Sequence, residues 1–191
     1  MKYSPDVHRR RSMRLQGYDY AQAGAYFITI CTKDRQCLFG NIMNGKMEFN
    51  EAGIMLEKVW SELPIRFDIM ELDEFTVMPN HFHGIVTLSG RGEACLRPSQ
   101  SPVKPGDHKD RPYGTQPDSI GRVVQAFKSI TTHQYINGVR CSGWRPFPGK
   151  LWQRNYWDHI IRDEAELTNI REYIVNNPSL WESDQLNPAC A

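Results

Sequence analysis

Ile69-Met-Glu-Leu-Asp-Glu-Phe-Thr-Val-Met-Pro-Asn-His-Phe-His-Gly-Ile-Val-Thr-Leu88 reads as two strands around a turn. Ile69 to Met78 and His81 to Leu88 are rich in aliphatic, aromatic and β-branched residues, and Pro79-Asn80 between them is turn chemistry. The two strands are expected to pair as an antiparallel hairpin.

Upstream, Ala25-Tyr-Phe-Ile-Thr-Ile-Cys-Thr32 is a further strand bounded by Gly24, and Asn44-Gly45 makes a small hairpin of Ile42 to Phe49. Asn50 is the expected N-cap of a helix through Leu63, with Ile54, Val59 and Leu63 near helical spacing and Pro64 ending it. Downstream, Ser119 is expected to cap a second helix whose stripe is Ile120, Val123, Val124, Phe127 and Ile130, followed by a loop from Gly138 to Gly149. Leu151 to Ile161 alternates and reads as a last core strand. Asp163 and Glu166 have capping-box spacing for a C-terminal helix that Asn177-Pro178 closes.

The order strand, helix, strand, strand, helix, strand is the ferredoxin-like βαββαβ arrangement of the α+β class. It predicts one antiparallel sheet with helices on one face, plus a C-terminal helix. A length of 191 residues and an apolar share of 40 % fit one globular domain over 1–191. Residues 91–118, poor in large apolar side chains and rich in Pro and Gly, are expected to be a mobile insertion, and residues 1–16 a basic arm. No stretch approaches the roughly 20 apolar residues of a membrane span, and Arg9, Arg10 and Arg11 lead into polar residues instead of an apolar signal core. Cysteines 31, 37, 95, 141 and 190 form no C-x-x-C pair, so a reducing, cytoplasmic setting is expected.

Charge is segregated beneath a net +1. Residues 1–16 carry +4 and residues 119–162 carry +6, whereas 41–75 and 163–191 carry −5 each. Such blocks either solvate helix faces or set a basic surface, attractive to phosphates, beside an acidic one.

Side chains two apart on a strand share a face, so His81 and His83 can converge on one cation while Phe82 turns into the core. Two imidazoles need a third ligand from elsewhere. Tyr173 and Asn177 are four apart on the last helix and project from one face. If that helix packs beside the His-x-His strand, Asn177 supplies an amide oxygen and Tyr173 a phenolic hydroxyl, a donor set suited to Mg²⁺ or Mn²⁺. A phenolate beside such a cation can attack a phosphodiester and form a phosphotyrosine. The same residues also suit non-ligating histidines and a core-packed tyrosine with its hydroxyl at the surface. Trp144 to Arg162 interleaves aromatic and basic residues, as single-strand binders do. With the preceding helix it nominates Arg122, Lys128, Arg145, Lys150, Trp152 and Arg154 for DNA contact. Tyr156 is a rival nucleophile.

Taken together, Val77-Met-Pro-Asn-His-Phe-His-Gly-Ile-Val86, Phe127-Lys-Ser129, Leu151-Trp-Gln-Arg-Asn-Tyr156, Asp158-His-Ile-Ile-Arg162 and Arg171-Glu-Tyr-Ile-Val-Asn-Asn-Pro178 with Trp181 resemble the HUH single-tyrosine transposases, in the branch of the REP-associated tyrosine transposases. The resemblance spans nearly the whole chain except residues 91–118. It implies His81, His83 and Asn177 as metal ligands and Tyr173 as the nucleophile that joins a 5′ phosphate while a 3′ hydroxyl leaves. It further implies single-stranded hairpin DNA, often repetitive extragenic palindromes, as partner, a monomer or homodimer, and no need of ATP. Transposition-type relatives carry Gln where this chain has Asn177, a shorter arm toward the metal. Two other functions fit the same residues: a non-catalytic, structure-specific single-stranded nucleic-acid binder, and a metal hydrolase that activates water at the histidines.

Overall fold

The computed structural model describes residues 20–89 and 118–188. The basic arm at 1–16 and nearly all of the 91–118 insertion lie outside the described residues.

Strand β1 (Gly24–Cys31) alternates strictly: Tyr26, Ile28 and Ile30 enter one apolar cluster, while Phe27 belongs to another. A sheet with apolar residues on both faces must be covered on both. The sheet has four strands in the order β4–β5–β1–β6, all antiparallel, with β4 at Met70–Val77, β5 at His81–Leu88 and β6 at Trp157–Ile161. This is the ferredoxin-like order expected from the sequence. Strands β2 (Gly40–Met43) and β3 (Lys46–Phe49) form the small separate hairpin at Asn44-Gly45.

Helices α1 (Glu51–Ser61) and α3 (Ile120–Ser142) cover one face, where Trp60 lies 4.5 Å from Phe82 and 5.3 Å from Phe127 between ring centroids. Gly84 is required there, because a Cβ would come within 2.8 Å of the Trp60 and Phe82 rings. Helix α4 (Glu164–Asn176) covers the opposite face, packing Ile174 against Phe27, Ile85 and Ile161. The sheet is thus sandwiched, with the tyrosine-bearing helix, among the described helices, on its second face.

Asn50 caps α1 by accepting from Gly53 N–H, and Asp163 caps α4 by accepting from Glu166 N–H. Four expectations are corrected. Pro64 ends no helix: it sits in the first turn of a short α2 (Leu63–Arg66), where its missing N–H costs nothing. Ser119 stands at the N-cap of α3 but its side chain makes no capping bond. Helix α3 runs through Gly138 to Ser142, because the Trp144 indole folds back onto Gly138, leaving no room for a Cβ, and Gly143 at φ +69° stops the helix. The last strand begins only at Trp157. Residues 151–156 cross the end of β1 through Lys33 N–H to Leu151 O and Gln153 N–H to Cys31 O.

Strand β4 bulges between Leu72 and Phe75, which keeps both apolar side chains on the α1 face and re-aims Asp73. Asp73 accepts two bonds from Arg171 of α4, Nε at 2.9 Å and Nη2 at 2.6 Å, so the bulge ties the tyrosine helix to the sheet edge. Those bonds hold the Asp73 carboxyl below the usual range. A carboxylate with a lowered native pKa adds stability above its unfolded pKa and loses it as pH falls through the native one. Asp73→Asn is therefore expected to lower unfolding free energy by about 0.5–1 kcal/mol at pH 7, the pair being partly exposed. In urea melts the difference is expected to fade as pH drops through that lowered native value.

Candidate active site

The β1–β5 register places Thr29 beside His83 and Cys31 beside His81. Phe82 points into the α1 and α3 core, so His81 and His83 both face α4, with ring centroids 4.5 Å apart. Both rings are buried, His81 at 0 % exposure. Burial pushes the His81 imidazole down to about 4, and burial together with His81 holds His83 well below its ordinary value. Both rings are neutral at neutral pH.

The second side of each ring fixes its orientation. The Asn80 amide nitrogen donates to Arg35 O at 3.1 Å and to Leu186 O at 2.7 Å, so its oxygen is the acceptor that faces His81 Nδ1 at 2.8 Å. His81 Nδ1 therefore carries the proton, and Nε2 presents a lone pair. His83 Nδ1 bonds Thr29 Oγ1 at 2.8 Å, turning Nε2 toward α4.

From α4, Tyr173 brings its hydroxyl to 3.4 Å from His83 Nε2, with its ring edge-on to Phe27. It is 43 % exposed, so the phenol lies at the mouth of the site. Burial, then the Asp184 carboxylate, hold that phenol above its ordinary range. Asn177, one turn on, opens a 3₁₀ turn over Asn177–Ser183 and is 2 % exposed. A cleft of about 740 Å³ collects His83, Tyr173 and Asn177 with Phe27, Thr29 and Trp157.

His81 Nε2 and Asn177 Oδ1 are buried and make no hydrogen bond. Leaving such atoms unpaired costs about 1–3 kcal/mol each, so the pair fits a site made for a cation. Imidazole nitrogens with an amide oxygen suit a divalent ion that keeps open positions. Among the described residues, no three His, Cys, Asp or Glu side chains are gathered in ligating geometry, which leaves the amide oxygen an essential donor.

The nominated DNA-contact residues divide. Arg154 is exposed beside cleft-lining Gln153 and Asn155. Arg122, Arg145 and Lys150 are exposed but line no part of the cleft. Trp152 is corrected to a core residue: it is 4 % exposed, packs between Phe39 and Phe127, and donates its indole N–H to Thr131 Oγ1. The exposed Trp157, stacked on His159, lines the cleft instead. Alternation could have found it only with the true start of β6. Tyr156 also lines the cleft, but its ring lies under the Lys128 ammonium, 5.6 Å from the centroid. Thr29 and Asp184 were missed as well. Thr29 follows from strand register, which the sequence leaves open, and Asp184 lies in a tail without periodicity.

The fold is that of a REP-associated tyrosine transposase: a solved structure of such an enzyme bound to a REP hairpin superimposes with a TM-score of 0.52 and 19 % identity, over 87 % of this chain and 73 % of that chain. The resemblance drawn from the sequence motifs is borne out. By sequence, the chain belongs to one family with an uncharacterized protein of Haemophilus influenzae, to which it is 41 % identical over 191 residues, 97 % of each chain. A further 28-residue stretch, 15 % of this chain and 16 % of its relative, is 50 % identical to a Haemophilus influenzae protein named "Putative REP-associated tyrosine transposase". No protein-family model matches the chain.

Lys128 donates to Gln153 O at 2.9 Å and Asn155 O at 3.0 Å, and burial brings its pKa down to about 8. It thus braces the cleft-lining segment. Lys128→Met is expected to lower unfolding free energy by about 1–3 kcal/mol, since bonds from a charged donor are lost. Chemical denaturation checks it, and an unchanged midpoint would return Lys128 to the DNA-contact role expected from the sequence.

Proposed function

We propose that this protein is a divalent-metal-dependent single-strand DNA endonuclease and strand transferase. It acts on hairpin DNA through a covalent 5′-phosphotyrosine at Tyr173. The observation that carries the reading is the meeting of Tyr173 with His83 at 3.4 Å in a cleft that Asn177 also lines, with the acceptors of Asn177 and of neighbouring buried His81 left without partners.

Within that reading, His81, His83 and Asn177 would hold Mg²⁺ or Mn²⁺. When bound, the ion withdraws charge from the scissile phosphate and stabilises the departing oxygen. The Thr29 and Asn80 bonds fix the orientation of the two imidazoles. Helix α4, anchored by Ile174 below and Arg171 at its side, holds the phenol against His83. The Tyr173 oxygen attacks phosphorus, its proton passes to solvent in the open cleft, the P–O bond to the 3′ oxygen breaks, and that oxygen takes up a proton from solvent. A free 3′ hydroxyl and a tyrosine-linked 5′ phosphate result. The phosphodiester energy is conserved in the tyrosine ester, so a 3′ hydroxyl can reverse the step without ATP.

In this reading exposed Trp157, which lines the cleft, would stack an unpaired base, and exposed Arg154 would meet a phosphate of the same strand. A hairpin-binding function is supported by the fold shared with a transposase solved on a REP hairpin.

Tyr173→Phe removes only the nucleophilic oxygen. With labelled hairpin DNA from the flanks of the protein's own gene and Mn²⁺, cleavage on a denaturing gel is expected to fall by about 10³-fold or more. The native-gel shift should persist. Undiminished cleavage by the variant would favour water activation at the histidines, and binding without cleavage by the wild type would favour a binding module.

A further inference from the structure

One carboxylate at the floor of the cleft is left unused by the tyrosine, the two histidines and the asparagine. Asp184 follows the 3₁₀ turn, and its side chain is only 8 % exposed. Its Oδ1 accepts from Leu186 N–H at 2.7 Å. Its Oδ2 is buried, makes no hydrogen bond, and faces His81 Nε2 at 3.8 Å. The proton of that imidazole is on Nδ1, so the two facing atoms both present lone pairs. Buried lone pairs at this separation repel unless a positive charge lies between them.

The tail is built to keep them there. Asn80 holds Leu186 O, Arg35 Nη1 donates to Gln185 O at 2.8 Å, Asn187 N–H donates to Asp184 O at 2.9 Å, and Asp184 N–H donates to Trp181 O. Asp184 and Asn177, the latter with its own unpartnered oxygen, line the same cleft. Two ligand bonds of about 2.0–2.1 Å can span up to about 4.2 Å through one ion. A separation of 3.8 Å is therefore within reach of a single cation.

The geometry points to Asp184 as a fourth protein ligand, through Oδ2, to the divalent cation that His81, His83 and Asn177 would hold; the two imidazoles and this carboxylate do not by themselves stand in ligating geometry, so Asp184 would draw in to the ion together with the Asn177 amide. This rests on the metal reading above and deepens it. Adding a carboxylate to two imidazoles and an amide gives the site a formal negative charge and more oxygen donors. Both favour hard ions such as Mg²⁺ and Mn²⁺. The stretch after Pro178 thereby becomes part of the metal site.

The test is calorimetric titration of the full chain with MnCl₂, paired with thermal melts with and without Mn²⁺. Asp184→Asn keeps an oxygen for Leu186 N–H and removes the charge; Asp184→Ser is the second variant. Each is expected to weaken Mn²⁺ binding by about 10-fold or more and to lose most of the Mn²⁺-induced rise in melting temperature seen with wild type. Variants that bind Mn²⁺ within about twofold of wild type would overturn the Asp184 assignment and leave the metal reading standing. A wild-type chain that binds no Mn²⁺ would overturn both. Should neither variant fold, Mg²⁺ titration of wild type followed by carboxyl ¹³C NMR decides: a shifted Asp184 Cγ resonance supports ligation, and an unmoved one refutes it.

Discussion

The two-residue period of β5 governs both the core and the site. Phe82, Val86 and Leu88 must enter the layer under α1 and α3, and this sends His81, His83 and Ile85 to the other face. A shift of one residue in the pairing with β1 would bury the imidazoles among Trp60 and Phe127 and push Phe82 toward the cleft. The buried aromatic cluster at Trp60 thus acts as a register lock: the energy that holds Phe82 in place also aims the histidines. Gly84, flattened against Trp60 in the same strand, shows how little slack that packing leaves.

On the second face, α4 has a small apolar footing, Ile174 with Phe27, Ile85 and Ile161. The Asp73–Arg171 pair adds a polar anchor at the sheet edge. This division suits a nucleophile on a helix: Ile174, one residue beyond Tyr173, is fully buried, while Tyr173 itself stays half open to the cleft. Beneath it, Asn80 serves three partners at once: the imidazole of His81, the carbonyl of Arg35 and the carbonyl of Leu186. A turn residue of the central hairpin therefore couples the tautomer of one histidine to the position of the C-terminal tail.

Much of this was legible in the sequence because it follows from local periodicity. The βαββαβ order, the caps at Asn50 and Asp163, the shared face of His81 and His83, and the four-residue spacing of Tyr173 and Asn177 need no knowledge of distant contacts. What failed depends on tertiary packing. Gly138 reads as a helix breaker until Trp144 is seen to require the absent Cβ. Trp152 reads as a stacking ring beside basic residues, yet the core between Phe39 and Phe127 claims it. Lys128 reads as a DNA-contact cation until the carbonyls of Gln153 and Asn155 are placed around it. Asp184 carries no pattern at all, since its role arises from a tail tied down by hydrogen bonds to residues far along the chain.

The central claim is that Tyr173, over the histidine pair, is the atom donor for a covalent DNA link. Mass spectrometry tests it most directly. Wild-type protein is reacted with single-stranded hairpin DNA and Mn²⁺, denatured, trimmed with nuclease and digested, and the nucleotide-bearing peptide is sequenced. The account predicts a phosphodiester-linked nucleotide on Tyr173. A nucleotide on Tyr156, or cleaved DNA with no modified tyrosine, would contradict it.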